Sequence, residues 1–421
     1  MMQRWRVATA SCRQLNYNAK KNNHMKFLRN YIDKIKPKFE EGGKLHAFRS
    51  LFDGFETFLF VPKDTAKNGV NIHDAIDSKR IMSIVVIALM PALLVGMYNV
   101  GLQNAIAAGV ADSTSWLDMF IFGLMVTLPK IVVSYAVGLG IEFTVAQWKN
   151  EEIHEGFLVS GMIIPMIVPV GCPLWVLAIA TAFAVIFAKE VFGGTGMNIV
   201  NVALIARAFI FFAYPSVISG ENVWVATDPV LGFGAETVDG YTCATALQHL
   251  ASSPEVLGAS GAALSPADMI FGFMPGSIGE TSVVAIAIGA VILLWTGVAS
   301  WKTMFSVFAG GILMSLLFQH TLPDNPVAQA PAWQHLVLGG FCFGAVFMAT
   351  DPVTSARTET GKYIYGLGIG AMAILIRVLN PGYPEGMMLA ILLMNVTAPF
   401  IDYCVVQSNI NARAKRLTKK N

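Results

Sequence analysis

The 421 residues predict an all-α polytopic membrane protein of about ten transmembrane helices, arranged as two five-helix inverted repeats. Three observations carry this expectation. The chain is 55% hydrophobic and only 13% charged, against about 25% charged residues in a soluble domain. Apolar stretches of spanning length recur through it, and its basic residues gather in alternate connections between them. A net charge of +2 gives no reason to invoke nucleic acid. The five cysteines, Cys12, Cys172, Cys243, Cys342 and Cys404, show neither CxxC nor CxxCH spacing. No iron–sulfur cluster or c-type haem is therefore encoded, and any redox chemistry must use another cofactor.

Taken in order, residues 1–24 carry Arg4, Arg6, Arg13, Lys20 and Lys21, no acid and no apolar core. They do not read as a secretory signal; they read as a leader or as the product of a start assigned too early, with Met25 opening a more ordinary sequence. Residues 25–80 form a polar N-terminal segment. The spans follow at 81–100, 117–147, 157–170, 172–192 and 203–218, and, after a long polar loop over 219–281, at 282–299, 303–321, 334–350, 362–378 and 385–403. A basic tail over 404–421 ends the chain. The second span contains Pro129 and is expected to kink or break there. The third is short, with Pro165 and Pro169 near its end, which suits a half-helix or re-entrant element.

Of the 29 Lys and Arg, 16 precede residue 81 and five follow residue 403. Lys149, Lys189, Lys302, Arg357 and Lys362 fall in alternate short connections, while 101–116, 219–281 and 322–333 carry no Lys or Arg. By the positive-inside rule both termini are cytoplasmic and the 219–281 loop, with seven acids, faces outward. Five spans lie on each side of that loop. "EGFLVSGMIIPMIVPV" (155–170) resembles "GGFCFGAVFMATDPV" (339–353), each in the third span of its half. An odd-numbered repeat of this kind inverts, as in many transporters; chance likeness of apolar segments is the plainer alternative.

Ionisable groups within spans are costly and are retained when paired or when they line a wet path. Glu142, Asp351 and Asp402 all fall towards cytoplasmic span ends, and Arg207 enters the fifth span from the same side. The functional reading is a sodium entry site built of carboxylate oxygens. The structural one has Glu142 or Asp402 neutralised by Arg207, or snorkelling. Lys130 is mid-span and is expected to pair with a neighbouring span or subunit. In "EVFGGTGMNIVNVALIARAF" (190–209) three glycines permit close approach of a ligand. Asn198 and Asn201, three apart, would share one helical face and could bond a flat heteroaromatic ring; a helix-breaking turn with a capping Asn is the blander reading. Gly138 and Gly140 open room beside Glu142, and Phe157 offers an aromatic face to a quinone-like ring, unless the glycines are only helix contacts.

"KEVFGGTGMN", "RAFIFFAYP", the D-x-x-T-x-A-T of Asp239 to Thr245, "MATDPV" and "NVTAPFID" together resemble a family of flavin-bearing membrane proteins. The family comprises the NqrB proteins of the bacterial sodium-translocating NADH:quinone oxidoreductases and the related RnfD proteins of the Rnf electron-transport complexes. The likeness covers nearly all of the chain from Met25 onward, and the long N-terminal segment favours the quinone reductase. The resemblance implies an enzyme component in the bacterial inner membrane that passes electrons from covalent FMN through riboflavin to quinone and exports Na⁺. FMN would be esterified to Thr245 by a flavin transferase outside the membrane, with Asp239 and Thr242 as recognition positions. Cys243 stands where the family has Gly. Asn198 and Asn201 match riboflavin positions. Glu142, Asp351 and Asp402 match acids of the sodium path, and the quinone would lie near Gly138, Gly140 and Phe157. Its partners would be the other members (A, C, D, E and F) of the complex. An Rnf-type protein, or a 5+5 channel without redox function, are the rivals.

Overall fold

A computed structural model describes residues 29–38, 52, 56, 78–149, 156–218, 223–230, 232–235, 244–252, 256, 258, 263–380 and 385–418. Asp53, Asp239, Thr242 and Cys243 lie outside the described residues. The chain forms two compact units, one of residues 1–75 with 143–154 and one of residues 76–142 with 155–421. In the first, a helix over 29–35 runs into a 3₁₀ turn at Lys36–Lys38. Arg29 and Lys36 both pair with Glu56, at 3.1 and 2.9 Å.

The second unit is helical, and the described residues contain no strand beyond an isolated bridge between Val230 and Phe233. Its principal helices are α1 (Ser78–Ala107), α2 (Trp116–Lys149, counted here as far as Glu142), α3 (Phe157–Ile167), α4 (Leu174–Val185), α5 (Val202–Ala213), α6 (Val283–Trp295), α7 (Trp301–Thr321), α8 (Glu359–Leu379) and α9 (Met387–Thr418). α4 continues as a π turn at Ile186–Glu190. The stretch expected as the eighth span is instead three pieces, Ala332–Val337, Phe341–Phe343 and a π turn at Gly344–Met348. Among the described residues five helices are long and apolar enough to cross a bilayer, namely α1, α2, α7, α8 and α9. α3, α5 and α6 are apolar but shorter. Trp116, Trp175, Trp295 and Trp301, at helix ends, are exposed, as expected of an aromatic belt at a membrane interface.

Two further features bear on the sequence expectations. Of the kink or break expected at Pro129, the break does not occur, since α2 runs on through it; in an apolar setting a freed carbonyl costs more than a bent helix, so a proline can be carried within a long helix. α9 continues past Tyr403 to Thr418, so its last turns include basic residues expected in a separate tail.

Small residues bring the helices together. A Cβ on Gly310 would meet the Leu367 carbonyl, and one on Gly370 the Val307 carbonyl, so α7 and α8 touch backbone to backbone. Across the two halves, Gly289 of α6 faces the Ala88 carbonyl of α1.

α3 has 11 residues and is about 16 Å long, half the thickness of a bilayer core. Val168 then turns extended, as Pro169 requires of the residue before it. Carbonyls freed inside apolar surroundings must find donors, and here they do. Gly279 N donates to Met166 O at 2.9 Å and Ser277 Oγ to Ile167 O at 3.2 Å. Lys130 Nζ donates to Pro169 O at 3.2 Å and to Val170 O. The mid-span lysine thus meets a neighbouring span, but through carbonyls rather than an acid. It serves the C-terminal end of a half-helix, where a cation is favoured.

Candidate functional site

The first turns of α3, the π turn and the start of α5 frame a cavity whose empty space, open mouth included, is about 850 Å³. α1 lends Ile81, Met82 and Val85, and α3 lends Val159, Ser160 and Ile163. Lys189, Gly196, Asn198 and Asn201 give polar lining, and Phe347, Thr350 and Asp351 join them from the second half. The turn over 191–197 reaches the cavity because Gly193, Gly194 and Gly196 take φ of 113°, 93° and 88°, a region that side chains disfavour.

Asn198 and Asn201 line this one cavity, but they do not share a helical face. The helix starts only at Val202, and Asn201 is its N-cap. Asn201 Oδ1 accepts from Ala203 N and Leu204 N at 3.0 and 3.3 Å, while its Nδ2 lies 3.5 Å from Asp351 Oδ2. A distance of 3.5 Å is at the weak limit of hydrogen bonding, so this amide has capacity to give to a ligand. Asn198 Nδ2 donates to Val200 O at 3.1 Å. Asn201 therefore caps a helix and lines the cavity at once.

The three carboxylates have separate partners, and the described residues hold no group of three His, Cys, Asp or Glu disposed for a metal ion. Asp402 accepts from Arg357 N at 2.8 Å and from Thr358 N and Oγ1 at 2.9 and 2.6 Å. It braces the start of α8, where Thr358 is N-cap. Asp351 lines the cavity and accepts from Val353 N at 3.1 Å and Thr354 Oγ1 at 3.0 Å. Glu142, buried on α2, pairs through Oε1 with Lys189, while its Oε2 is buried with no hydrogen-bond partner. Lys189, by sequence a charge of a short connection, is only 4% exposed and sits in the π turn. Its place beside apolar Ile186, Phe187 and Ala188, rather than in a polar run, is the signal that could have revealed this.

Arg207 does not neutralise Glu142 or Asp402. It pairs with Glu280 at 2.8 Å and with Glu385. In the sequence Glu280 is simply a loop acid, and Glu385, in "YPEG" at a span boundary, carries no signal. Arg377 lies on the other side of Glu385 and donates to the carbonyls of His335 at 2.6 Å and of Leu338 and Glu385, each at 3.3 Å.

The room expected beside Gly138 is filled by Phe157, which is 1% exposed and meets Tyr135 edge-on at 6.3 Å. A buried ring packed on a glycine offers no open face to a quinone. Gly140 is exposed, with free space where a Cβ would point.

Thr245 lies just before a short helix, Ala246–Ser252, as half of a reciprocal cap. Gln248 N donates to Thr245 Oγ1 at 3.3 Å, and Thr245 N donates to Gln248 Oε1 at 3.1 Å. The T-x-x-Q spacing is that of a capping box. Ala246, Leu247 and Leu250 bury against Met269, Met274, Ala330 and Leu338, which fixes the half-buried Thr245 over the 326–338 segment.

Five helices of spanning length, shorter apolar helices among them, buried ion pairs and one partly polar cavity describe a polytopic helical membrane protein. The chain belongs to the NQR2, RnfD, RnfE family, whose model matches residues 65–411. Among curated proteins it is 43% identical over 409 residues to the B component of the Na(+)-translocating NADH-quinone reductase of Chromohalobacter salexigens, covering 92% of this chain and 96% of that one. It is 42% identical to the proteins of the same name from Azotobacter vinelandii and Klebsiella pneumoniae, with 92% of this chain and 99% of each relative covered.

Proposed function

We propose that this chain is the membrane component of a sodium-translocating NADH:quinone reductase through which electrons pass from FMN esterified to Thr245, by way of a riboflavin held in the cavity, to quinone, with Na⁺ driven outward. The membrane would be the bacterial inner membrane, with both termini and the cavity on the cytoplasmic side and Thr245 outside. The five other members would complete the complex, and a flavin transferase would load Thr245.

The observation that carries this reading is the cavity itself. It joins Asn198, Asn201 and Asp351 in one space and borders, through Lys189, on a buried glutamate with one unsatisfied oxygen. Such convergence of polar groups in an otherwise apolar cavity suits an organic ring. Flavins supply the conversion between two-electron and one-electron transfer. The chain's own part is to bind, orient and exclude. Asn201 Nδ2 and Asn198 present amides to the ring's polar edge, and the two halves close apolar walls around it. Thr245 offers a half-buried hydroxyl whose oxygen the capping box aims in a fixed direction. Sodium is the cargo, and Glu142 Oε2 with Asp351 supplies the carboxylate oxygens such a hard cation prefers. The quinone has no open ring face at Phe157; the exposed flank at Gly140 is where it would have to approach.

Expression with the transferase, followed by a denaturing gel viewed under ultraviolet light, tests the reading. A fluorescent band is expected, lost in Thr245→Ala. A parent protein without fluorescence would overturn the flavin reading and leave a non-redox transporter.

A further inference from the structure

The Glu142–Lys189 pair has a geometry that a permanent structural bridge does not need. A buried ion pair is stable when each oxygen and proton of both groups is satisfied, yet Glu142 Oε2 is buried and unpartnered. Lys189 projects from a π turn, in which Val191 N bonds Ile186 O and Gly194 N bonds Lys189 O, each at 3.0 Å. Single π turns interrupt a helix at a cost and recur at functional sites. Lys189 also lines the cavity that holds Asn198, Asn201 and Asp351. Its ammonium, on four flexible methylenes, therefore pairs with Glu142 and also borders the cavity that Asp351 lines.

We propose that Lys189 is a switchable counter-ion, a positioning residue that links charge in the cavity to cation binding at Glu142. This rests on the reading of the cavity as a flavin site and of Glu142 as a sodium acceptor. While the cavity holds no added negative charge, the ammonium occupies Glu142 and acts as a tethered competitor of sodium. When negative charge is placed in the cavity, as on reduction of a bound isoalloxazine, the ammonium turns towards it. Glu142 is then a buried carboxylate without a counter-ion, and such a group is neutralised by sodium or by a proton, between which a measurement of sodium binding decides. Binding energies linked through one group are reciprocal, so sodium at Glu142 in turn favours the charged state of the cavity.

The test is equilibrium binding of radioactive sodium to the assembled, flavin-loaded complex, oxidised and chemically reduced. In the parent, affinity is expected to be higher in the reduced complex by roughly 5–150-fold, the usual range of such couplings. In Lys189→Met the oxidised complex should already bind with the higher affinity, and reduction should no longer change it. Lys189→Arg, which keeps the charge, should keep a redox dependence. A Lys189→Met complex with normal flavin content and the parent's sodium affinities in both states would overturn the proposal. So would a Lys189→Met complex that fails to assemble while Glu142→Gln/Lys189→Met assembles, since the pair would then be a fixed bridge. Glu142→Gln separates the two levels. Loss of redox-linked sodium binding there upholds the acceptor reading whatever Lys189 does, and unchanged binding removes that reading and this proposal together.

Discussion

Two buried charge clusters in this molecule are built differently. Around Arg207, every charge has an opposite and a fixed place. The guanidinium holds Glu280 and Glu385, and Arg377 ties the Glu385 backbone to the carbonyls of His335 and Leu338. This network joins α5, the segment before α6 and the segment before α9, and no cavity-lining residue takes part in it. Around Glu142 there is one cation, one bare oxygen and a cavity alongside. The difference separates charges that hold helices together from charges with capacity left to do something else. A buried charge is expensive in both places; in the first it is spread over a guanidinium and two carboxylates, and in the second it rests on one pair beside an open cavity.

The largest effect that would sharpen this contrast is expected at Arg207. Arg207→Met leaves buried Glu280 and half-buried Glu385 without this guanidinium, a loss of about 3–5 kcal/mol by analogy with other broken buried pairs. The amount of assembled protein in membranes, and its midpoint in thermal unfolding in detergent, should both fall sharply. Glu142→Gln leaves the buried Lys189 ammonium with an amide oxygen in place of a carboxylate and the adjoining cavity to turn to, so assembly should fall less than in Arg207→Met, while the sodium response of quinone reduction is abolished. Equal losses of assembly in the two variants would break the comparison.

Lys130 tests the same distinction at smaller scale. Its ammonium satisfies carbonyls only, at the end of α3. Lys130→Met should cost about 1–3 kcal/mol, the range for leaving buried polar groups unsatisfied, with Lys130→Arg recovering most of it. The expected reading is a lowered thermal midpoint with sodium affinity unchanged. A change in sodium affinity with no change in midpoint would move Lys130 from the supporting class to the functional one.

What is legible in the sequence is what is local. Apolar runs mark helices or helical pieces at the ten expected positions, and Pro169 announces the end of α3 because a proline acts on its own neighbours. T-x-x-Q could have revealed the capping box at Thr245, since that signal is four residues long. The partners of buried charges are not legible. Arg207 meets residues 73 and 178 positions away, and Glu142 meets one 47 away. Such pairings follow from the packing of α2, α4 and α5, which periodicity does not encode. The burial of Lys189 is hidden for a related reason. Counting bases in connections treats each as solvated, but a helix that continues by one π turn carries its last lysine inward.

Gln248 offers the finest test, because it bears on Thr245 without touching the buried charges at all. Gln248→Ala removes one of the two reciprocal bonds of the capping box and should cost the short helix about 1 kcal/mol. Hydrogen exchange at the Thr245 amide should quicken, because that N–H loses the Gln248 Oε1 acceptor, and the fluorescent band should weaken without vanishing. Gln248→Glu keeps an acceptor at the same place and should restore both. If flavin loading is indifferent to Gln248 while exchange at Thr245 quickens as expected, then the transferase reads an extended chain, and the cap is an arrangement the chain adopts around a residue already modified. If loading and exchange change together, the cap presents the hydroxyl, and the attachment site resembles the Arg207 cluster in being held in place by its partners.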